Sequence, residues 1–213
     1  MDAVAAKPIG ASFSSSEGNH AAYRGLTPQT TAFDIDGVVA DTMRLFISIA
    51  RESFQIDHLR HEDITSYNLE DCLDLKPEII VAVIEQIIAG THTPPLHPMA
   101  GCCASLARFG QDGHTIRFVT ARPEAGVIRD WLENNLPLAR RQIEVVATGS
   151  FEAKAHVLKD AGVHYFVEDR LETCFLLSRA AITPILFAQP WNRYPHPFRE
   201  VASWEEIASM MAP

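Results

Sequence analysis

The chain has 213 residues, 47% of them hydrophobic and 21% charged, the composition of an ordinary globular protein with one core, or one core carrying a small insert. No run of eighteen apolar residues occurs, which excludes a membrane-spanning helix, and the N-terminal region lacks the apolar stretch of a signal peptide. With 18 basic against 27 acidic residues and a net charge of −9, the surface disfavours long nucleic acids, which reward clustered Lys and Arg. Cys72, Cys102, Cys103 and Cys174 make no C-x-x-C pair and are expected to be reduced thiols in a cytoplasmic protein.

Residues 1–29 are rich in Ala, Ser and Gly and show no periodicity. They offer too little apolar surface to offset the entropy of ordering and are expected to form a flexible tail, with the folded part starting at Thr30. Thr31 to Asp36 reads as a short strand that ends in carboxylates and Gly37. Met43, Phe46, Ile47, Ala50 and Phe54 then follow helical spacing, which predicts an amphipathic helix over 41–56. A second helix is expected over 76–89, carrying Ile79, Ile80, Val83, Ile84, Ile87 and Ile88 and stopped by Gly90. Three prolines in 91–101 predict an extended return.

Beyond it, apolar runs at 115–120, 142–147, 163–167 and 184–188 alternate with helix-length segments at 101–109, 124–136, 152–161 and 170–181. This alternation predicts an α/β fold, a Rossmann-like parallel sheet covered by helices, with ligands bound beyond the carboxyl ends of the strands. The expected organisation is an α/β core from 30–40 and 101–213, with a small helical cap, 41–100, inserted after the first strand.

Polar residues fall at the ends of four of these strands. They are Asp34, Asp36 and Asp41 after the first, Thr120 and Arg122 after the second, Lys154 in the helix after the third, and Glu168, Asp169 and Arg170 after the fourth. Asp34 and Asp36 share one side of a strand end, because side chains repeat every two residues. Two like charges so placed need a cation or a proton between them. With Asp169 alongside, a hard oxygen site suited to Mg²⁺ is one resolution, and aspartates capping the turn at Gly37 are the other. A lysine in the first turn of a helix meets the positive end of the dipole, so Lys154 is either a solvated surface group or a cation that balances these carboxylates.

Phe33-Asp34-Ile35-Asp36-Gly37-Val38 resembles the first motif of the haloacid dehalogenase-like (HAD) hydrolase superfamily. Phe118-Val119-Thr120, Lys154 and Glu168-Asp169 resemble its second, third and fourth motifs, in order and spacing, and the helical insert matches the family's cap. The resemblance implies that Asp34 is the nucleophile, forming an aspartyl-phosphate, and that Asp36 is the general acid and base. It implies Mg²⁺ held by Asp34, Asp169 and the backbone carbonyl of Asp36, Thr120 as a donor to the phosphoryl group, and Lys154 as the cation steadying Asp34. Glu168 would reach the metal through water, or orient Asp169 or Arg170. The acid/base Asp36 separates this pattern from that of the dehalogenases.

Asp36 to Thr42, Thr120-Ala-Arg-Pro123, Glu168-Asp-Arg170 and Gln189-Pro-Trp-Asn-Arg193 are similar to the 5′(3′)-deoxyribonucleotidase-like branch. That likeness implies a phosphatase for a nucleoside monophosphate, one small phosphorylated metabolite at a time. Arg122 and Arg193 are candidate phosphate partners, with a structural salt bridge as the alternative for each. Trp191 is placed either to stack on a base or to pack beneath the cap. A sugar phosphatase, a phosphoglycolate-type phosphatase, a phosphotransferase and a non-catalytic binding protein are the competing readings. His92, His97, His156 and His164 lack metal-ligand spacing and are read as structural or surface groups.

Overall fold

The structure, a computed structural model, describes residues 25–212. Five strands form where the apolar runs predict them: β1 (Thr31–Phe33), β2 (Ile116–Thr120), β3 (Ile143–Ala147), β4 (Tyr165–Glu168) and β5 (Thr183–Phe187). A sixth, β6 (Arg199–Val201), extends the edge beyond β5. All pairings are parallel and the order is β3-β2-β1-β4-β5-β6. The order reverses at β1, so the crevice beside it is where a ligand is expected to enter. Phe33 is in register with Phe118 on one side and Val167 on the other. Asp34, Thr120 and Asp169, one or two residues further along, therefore emerge together.

The helices are α1 (Thr42–Phe54), α2 (Pro77–Ala89), α3 (Cys102–Phe109), α4 (Gly126–Asn135), α5 (Phe151–Asp160), α6 (Leu171–Arg179) and α7 (Trp204–Met210). On one face of the sheet, Phe33 packs against Trp204 of α7 and Phe109 of α3 at centroid distances of 5.2 and 5.6 Å. On the other, Ala32, Val119 and Phe166 pack with Leu158 of α5 and Leu177 of α6. Burial of this size on both faces is the main force holding a parallel sheet.

The segment between β1 and α3 is helical, as expected. Asp41 caps α1, its Oδ1 accepting the Arg44 backbone N–H. Pro77 opens α2 at a position where the missing N–H costs nothing, and Gly90 closes it in the left-handed conformation, with φ 67°. Leu45, Phe46 and Ile49 of α1 and Ile80 and Val83 of α2 belong to the same buried cluster as Phe33 and Ile35 of the core. The cap is thus seated on the sheet edge.

One expectation is corrected. Folded structure extends N-terminal to Thr30: Leu26 is buried, the Gly25 and Leu26 N–H groups donate to the Met210 carbonyl, and the Ala212 N–H donates to that of Leu26. The pairing joins the two ends of the fold, and no local sequence pattern encodes it. Residues 1–24, the rest of the expected tail, lie outside the described residues. The chain after β5 also carries β6 and α7, which the apolar runs read in the sequence do not include.

Candidate active site

β1 ends by delivering Asp34, whose backbone N–H donates to Val167 of β4 at 2.9 Å. The chain then turns sharply through Gly37, at φ 76°. A side-chain carbon at Gly37 would collide with the Asp169 carboxylate and press on Trp191, so this turn needs glycine for both its conformation and its close approach.

The Lys154 ammonium is the hub of the floor. It is fully buried in the first turn of α5, 3.0 Å from Asp34 Oδ2 and 2.8 Å from Glu168 Oε2. Phe166 and Phe151 present their rings to it at 5.4 and 5.8 Å. Desolvation opposes its charge, but Asp34 and Glu168 more than offset this and push its pKa up. The surface alternative for this lysine is therefore excluded. Glu168, also fully buried, accepts from Lys154 and, through Oε1, from the Arg170 backbone N–H at 3.0 Å.

Asp34, Glu168 and Asp169 are all buried and offer carboxylate oxygens within 4.8 Å of one another. Burial first, then the neighbouring Glu168 charge, raises the Asp34 carboxyl well above the ordinary carboxylate range; Lys154 only partly offsets this. Asp169 is raised for the same reasons, by burial and then by Glu168 and Asp34. Three carboxylates against one lysine leave surplus negative charge in a dry site. An all-oxygen donor set of that charge fits a hard divalent cation such as Mg²⁺. Asp169 is held in place by the turn after β5: Trp191 Nε1–H donates to its Oδ2 at 3.0 Å and Asn192 Nδ2 to its carbonyl at 2.7 Å. Gln189 Nε2 binds the Gly37 carbonyl at 2.7 Å, tying that turn to the loop after β1.

Asp36 is not one of this cluster's carboxylates and has partners of its own. Thr42 Oγ1 donates to its Oδ1 at 2.6 Å, while Arg122 grips both oxygens, Nη2 to Oδ1 at 2.7 Å and Nε to Oδ2 at 2.9 Å. Burial works to raise the Asp36 pKa, but the Arg122 charge and these bonds together hold it below the usual range. The Asp36 side chain is thus the partner of Arg122, and the third carboxylate of the cluster is that of Glu168. Thr120 is buried beside Asp34 at the cavity floor, its Oγ1 accepting the Arg122 backbone N–H at 3.2 Å.

Above the floor lies a cavity of about 400 Å³ between core and cap. Asp34, Asp36, Thr120, Arg122, Asp169 and Trp191 line its lower part. Its upper wall is mostly aliphatic, made by Met43 of α1, Leu69, and Ile80, Val81, Ile84, Ile87 and Ile88 of α2. Ser66, Tyr67, Asn68 and Glu70 of the cap loop and Phe151 of the core line it as well. Tyr67 meets Phe151 edge-on at 5.6 Å, and the Arg170 guanidinium lies over both rings, at 5.0 and 4.2 Å. This stack joins cap to core at the cavity rim.

Of the residues singled out in the sequence, Asp34, Asp36, Thr120, Arg122, Asp169 and Trp191 meet at one cavity, and Lys154 lies directly beneath Asp34. Arg193 does not join them; it is exposed and outside the cavity lining. Trp191 is buried and committed to Asp169 through its indole N–H, with its ring edge toward His61 at 5.7 Å. Thr42, Tyr67, Phe151, Gln189 and Asn192 were not foreseen. The Asp36–Thr42 and Gln189–Arg193 segments stood out only as likenesses, and nothing local links Tyr67 or Phe151 to the site.

Residues 29–212 match the family described as 5′ nucleotidase, deoxy (pyrimidine), cytosolic type C protein (NT5C). Among curated proteins nothing matches the chain. Among solved structures, CbbY from Rhodobacter sphaeroides in complex with phosphate is similar at 17% identity and a TM-score of 0.55, covering 86% of this chain and 99% of that one. A mutant of that protein in complex with xylulose-(1,5)bisphosphate gives 15% identity and a TM-score of 0.56 over 87% and 100%. A HAD-superfamily hydrolase of subfamily IA, variant 1, from Geobacter sulfurreducens PCA gives 14% and 0.52 over 89% and 97%. At these identities the likenesses establish a shared fold. The family match, by contrast, takes in every residue of the cluster and both helices of the cap, and the chain belongs to the HAD-like 5′-nucleotidase family, as a phosphoric monoester hydrolase.

Proposed function

We propose that this phosphatase hydrolyses a nucleoside monophosphate in the cytoplasm, with Mg²⁺ at the acidic cluster and Asp34 as the nucleophile. The observation that carries the reading is the pairing of a lysine-bound Asp34 with a mostly aliphatic cavity directly above it. Sugar hydroxyls need partners when buried, and in this upper wall those come from the cap loop alone, at Ser66, Tyr67, Asn68 and Glu70; a flat base and a deoxyribose lose less against the aliphatic remainder. The family description, which names a cytosolic deoxynucleotidase, supports the same substrate class and compartment.

Asp34, Asp169 and, directly or through water, Glu168 are the residues that would hold Mg²⁺. Bound there, the ion offsets the repulsion between an anionic nucleophile and an anionic phosphate. The chain's own residues do the rest. Lys154 at Oδ2 and the Ile35 backbone N–H at Oδ1 aim the Asp34 carboxylate, and Lys154 favours its ionised form, while one of its oxygens attacks phosphorus and the phosphorus–leaving-oxygen bond breaks. Asp36, ionised by Arg122, takes a proton from the monoanionic ester and passes it to the departing oxygen. In the second step Asp36 takes a proton from water as the water oxygen attacks phosphorus, which frees the Asp34 carboxylate and inorganic phosphate. Thr120 donates a hydrogen bond from its hydroxyl to the phosphoryl group.

Turnover of p-nitrophenyl phosphate with Mg²⁺ and with EDTA tests the metal; activity indifferent to chelation overturns it. Asp34→Asn is expected to leave below about a thousandth of wild-type kcat, since an amide is no nucleophile. A panel of deoxy- and ribonucleoside monophosphates against sugar phosphates and phosphoglycolate tests the substrate. Equal or faster turnover of the latter group ends the nucleotidase reading.

A further inference from the structure

All three nitrogens of Arg122 are engaged within the protein. Nε and Nη2 make the two-point bond to Asp36, and Nη1 donates to the Ile87 carbonyl in the last turn of α2 at 3.4 Å. Only 7% of its side chain is exposed, against 28% for Asp36, which remains open to the cavity. A guanidinium meeting a carboxylate in this side-on manner fixes the plane of that carboxylate as well as its position. To bind the substrate's phosphate instead, Arg122 would have to abandon a two-point, part-buried ion pair, and Lys154 already supplies a cation beside the nucleophile.

We propose that Arg122 is a positioning residue for Asp36: it orients the carboxyl that hands a proton to the leaving oxygen, and through Ile87 it anchors that orientation to the end of cap helix α2. The proposal rests on the reading of Asp36 as the acid. Neither the family match nor the structural likenesses assign Arg122 this role.

Leaving-group dependence separates a positioning role from phosphate binding and from plain structural support. p-Nitrophenyl phosphate releases a weakly basic oxygen that departs without a proton, whereas phenyl phosphate, of almost the same shape, releases a more basic one. kcat/KM would be measured with Mg²⁺ for both esters in wild type, Asp36→Asn, Arg122→Gln, Arg122→Lys and the Asp36→Asn/Arg122→Gln double variant, with thermal melting as the control for folding. Arg122→Gln is expected to lose about tenfold more on phenyl phosphate than on p-nitrophenyl phosphate. Arg122→Lys, which keeps the charge and the fold but not the two-point bond, should show the same bias. The double variant should be no worse than Asp36→Asn alone, because the two residues act as a unit.

Equal losses on both esters, accompanied by weaker inhibition by inorganic phosphate, make Arg122 a phosphate ligand and overturn the proposal. So does a double variant whose losses add, or an Arg122→Lys enzyme with no leaving-group bias. If Asp36→Asn itself shows no bias, the acid assignment falls and the proposal with it, a result distinct from failure at Arg122 alone.

Discussion

Lys154 shows how a single residue can be read two ways from its position in a helix. In the first turn of α5 its charge opposes the helix dipole, and only the two carboxylates 2.8 and 3.0 Å away, with the rings of Phe151 and Phe166, justify burying it. Removing one partner of such a group leaves the others uncompensated. Lys154→Met is therefore expected to cost about 3–5 kcal/mol in denaturant unfolding of the metal-free protein, as well as abolishing turnover. Gly37 is as demanding for a steric reason. Gly37→Ala combines a left-handed backbone with a collision at Asp169, so it should weaken Mg²⁺ binding, measured by calorimetry, more than a surface Gly→Ala such as Gly126→Ala, where nothing lies near the added carbon.

Helix α2 is apolar on more than one side, and that shapes the site at the level of the element. Ile80, Val83 and Ile87 are buried, while Val81, Ile84 and Ile88 are 49%, 38% and 38% exposed along the cavity wall. A helix that is apolar all round is normally buried all round. Here the second stripe faces an open cavity, which is what a binding surface requires. Ile84→Ser should raise KM for the preferred nucleotide about tenfold, consistent with losing about 1–2 kcal/mol of apolar contact, while the melting temperature moves little. A large fall in stability with unchanged KM would show that the stripe serves packing instead.

For the whole molecule, the sheet concentrates negative charge at a buried site, and this links stability to pH and metal. The folded pKa values of Asp34 and Asp169 are raised, by burial and then by neighbouring carboxylates. From the ordinary carboxylate range up to those raised values, the folded state holds protons that the unfolded chain has released. Metal-free stability is therefore expected to fall as pH rises through that window. Asp36 has the opposite sign: its folded pKa is depressed, so its contribution is present above the ordinary carboxylate value and is lost as pH falls through the lower one. Melting curves with EDTA should decline across the upper window, and Mg²⁺ should raise the melting temperature most at its top, where the cluster is fully ionised. A metal-induced gain that does not vary with pH would contradict the ligand set.

The sequence by itself determined the alternation of strands and helices, the helical insert after the first strand, and the carboxylates, threonine and lysine that end up at one sheet edge. These were legible because periodicity and turn residues act locally, and because a parallel sheet brings strand ends together whatever the details. The tertiary structure alone decided the partners. Arg122 closes on Asp36 across 86 positions of chain, Trp191 donates to Asp169, Glu168 takes the place in the carboxylate cluster that Asp36 gives up, and Arg193 stays outside. It also decided that Leu26 pairs with the C-terminus, and that the short β6 and α7 complete the core through Trp204, whose indole N–H reaches the Val38 carbonyl at 2.8 Å. Each of these depends on which groups meet in a low-dielectric interior, where a polar atom must find its partner wherever the fold brings one, and no local pattern in the chain records that meeting.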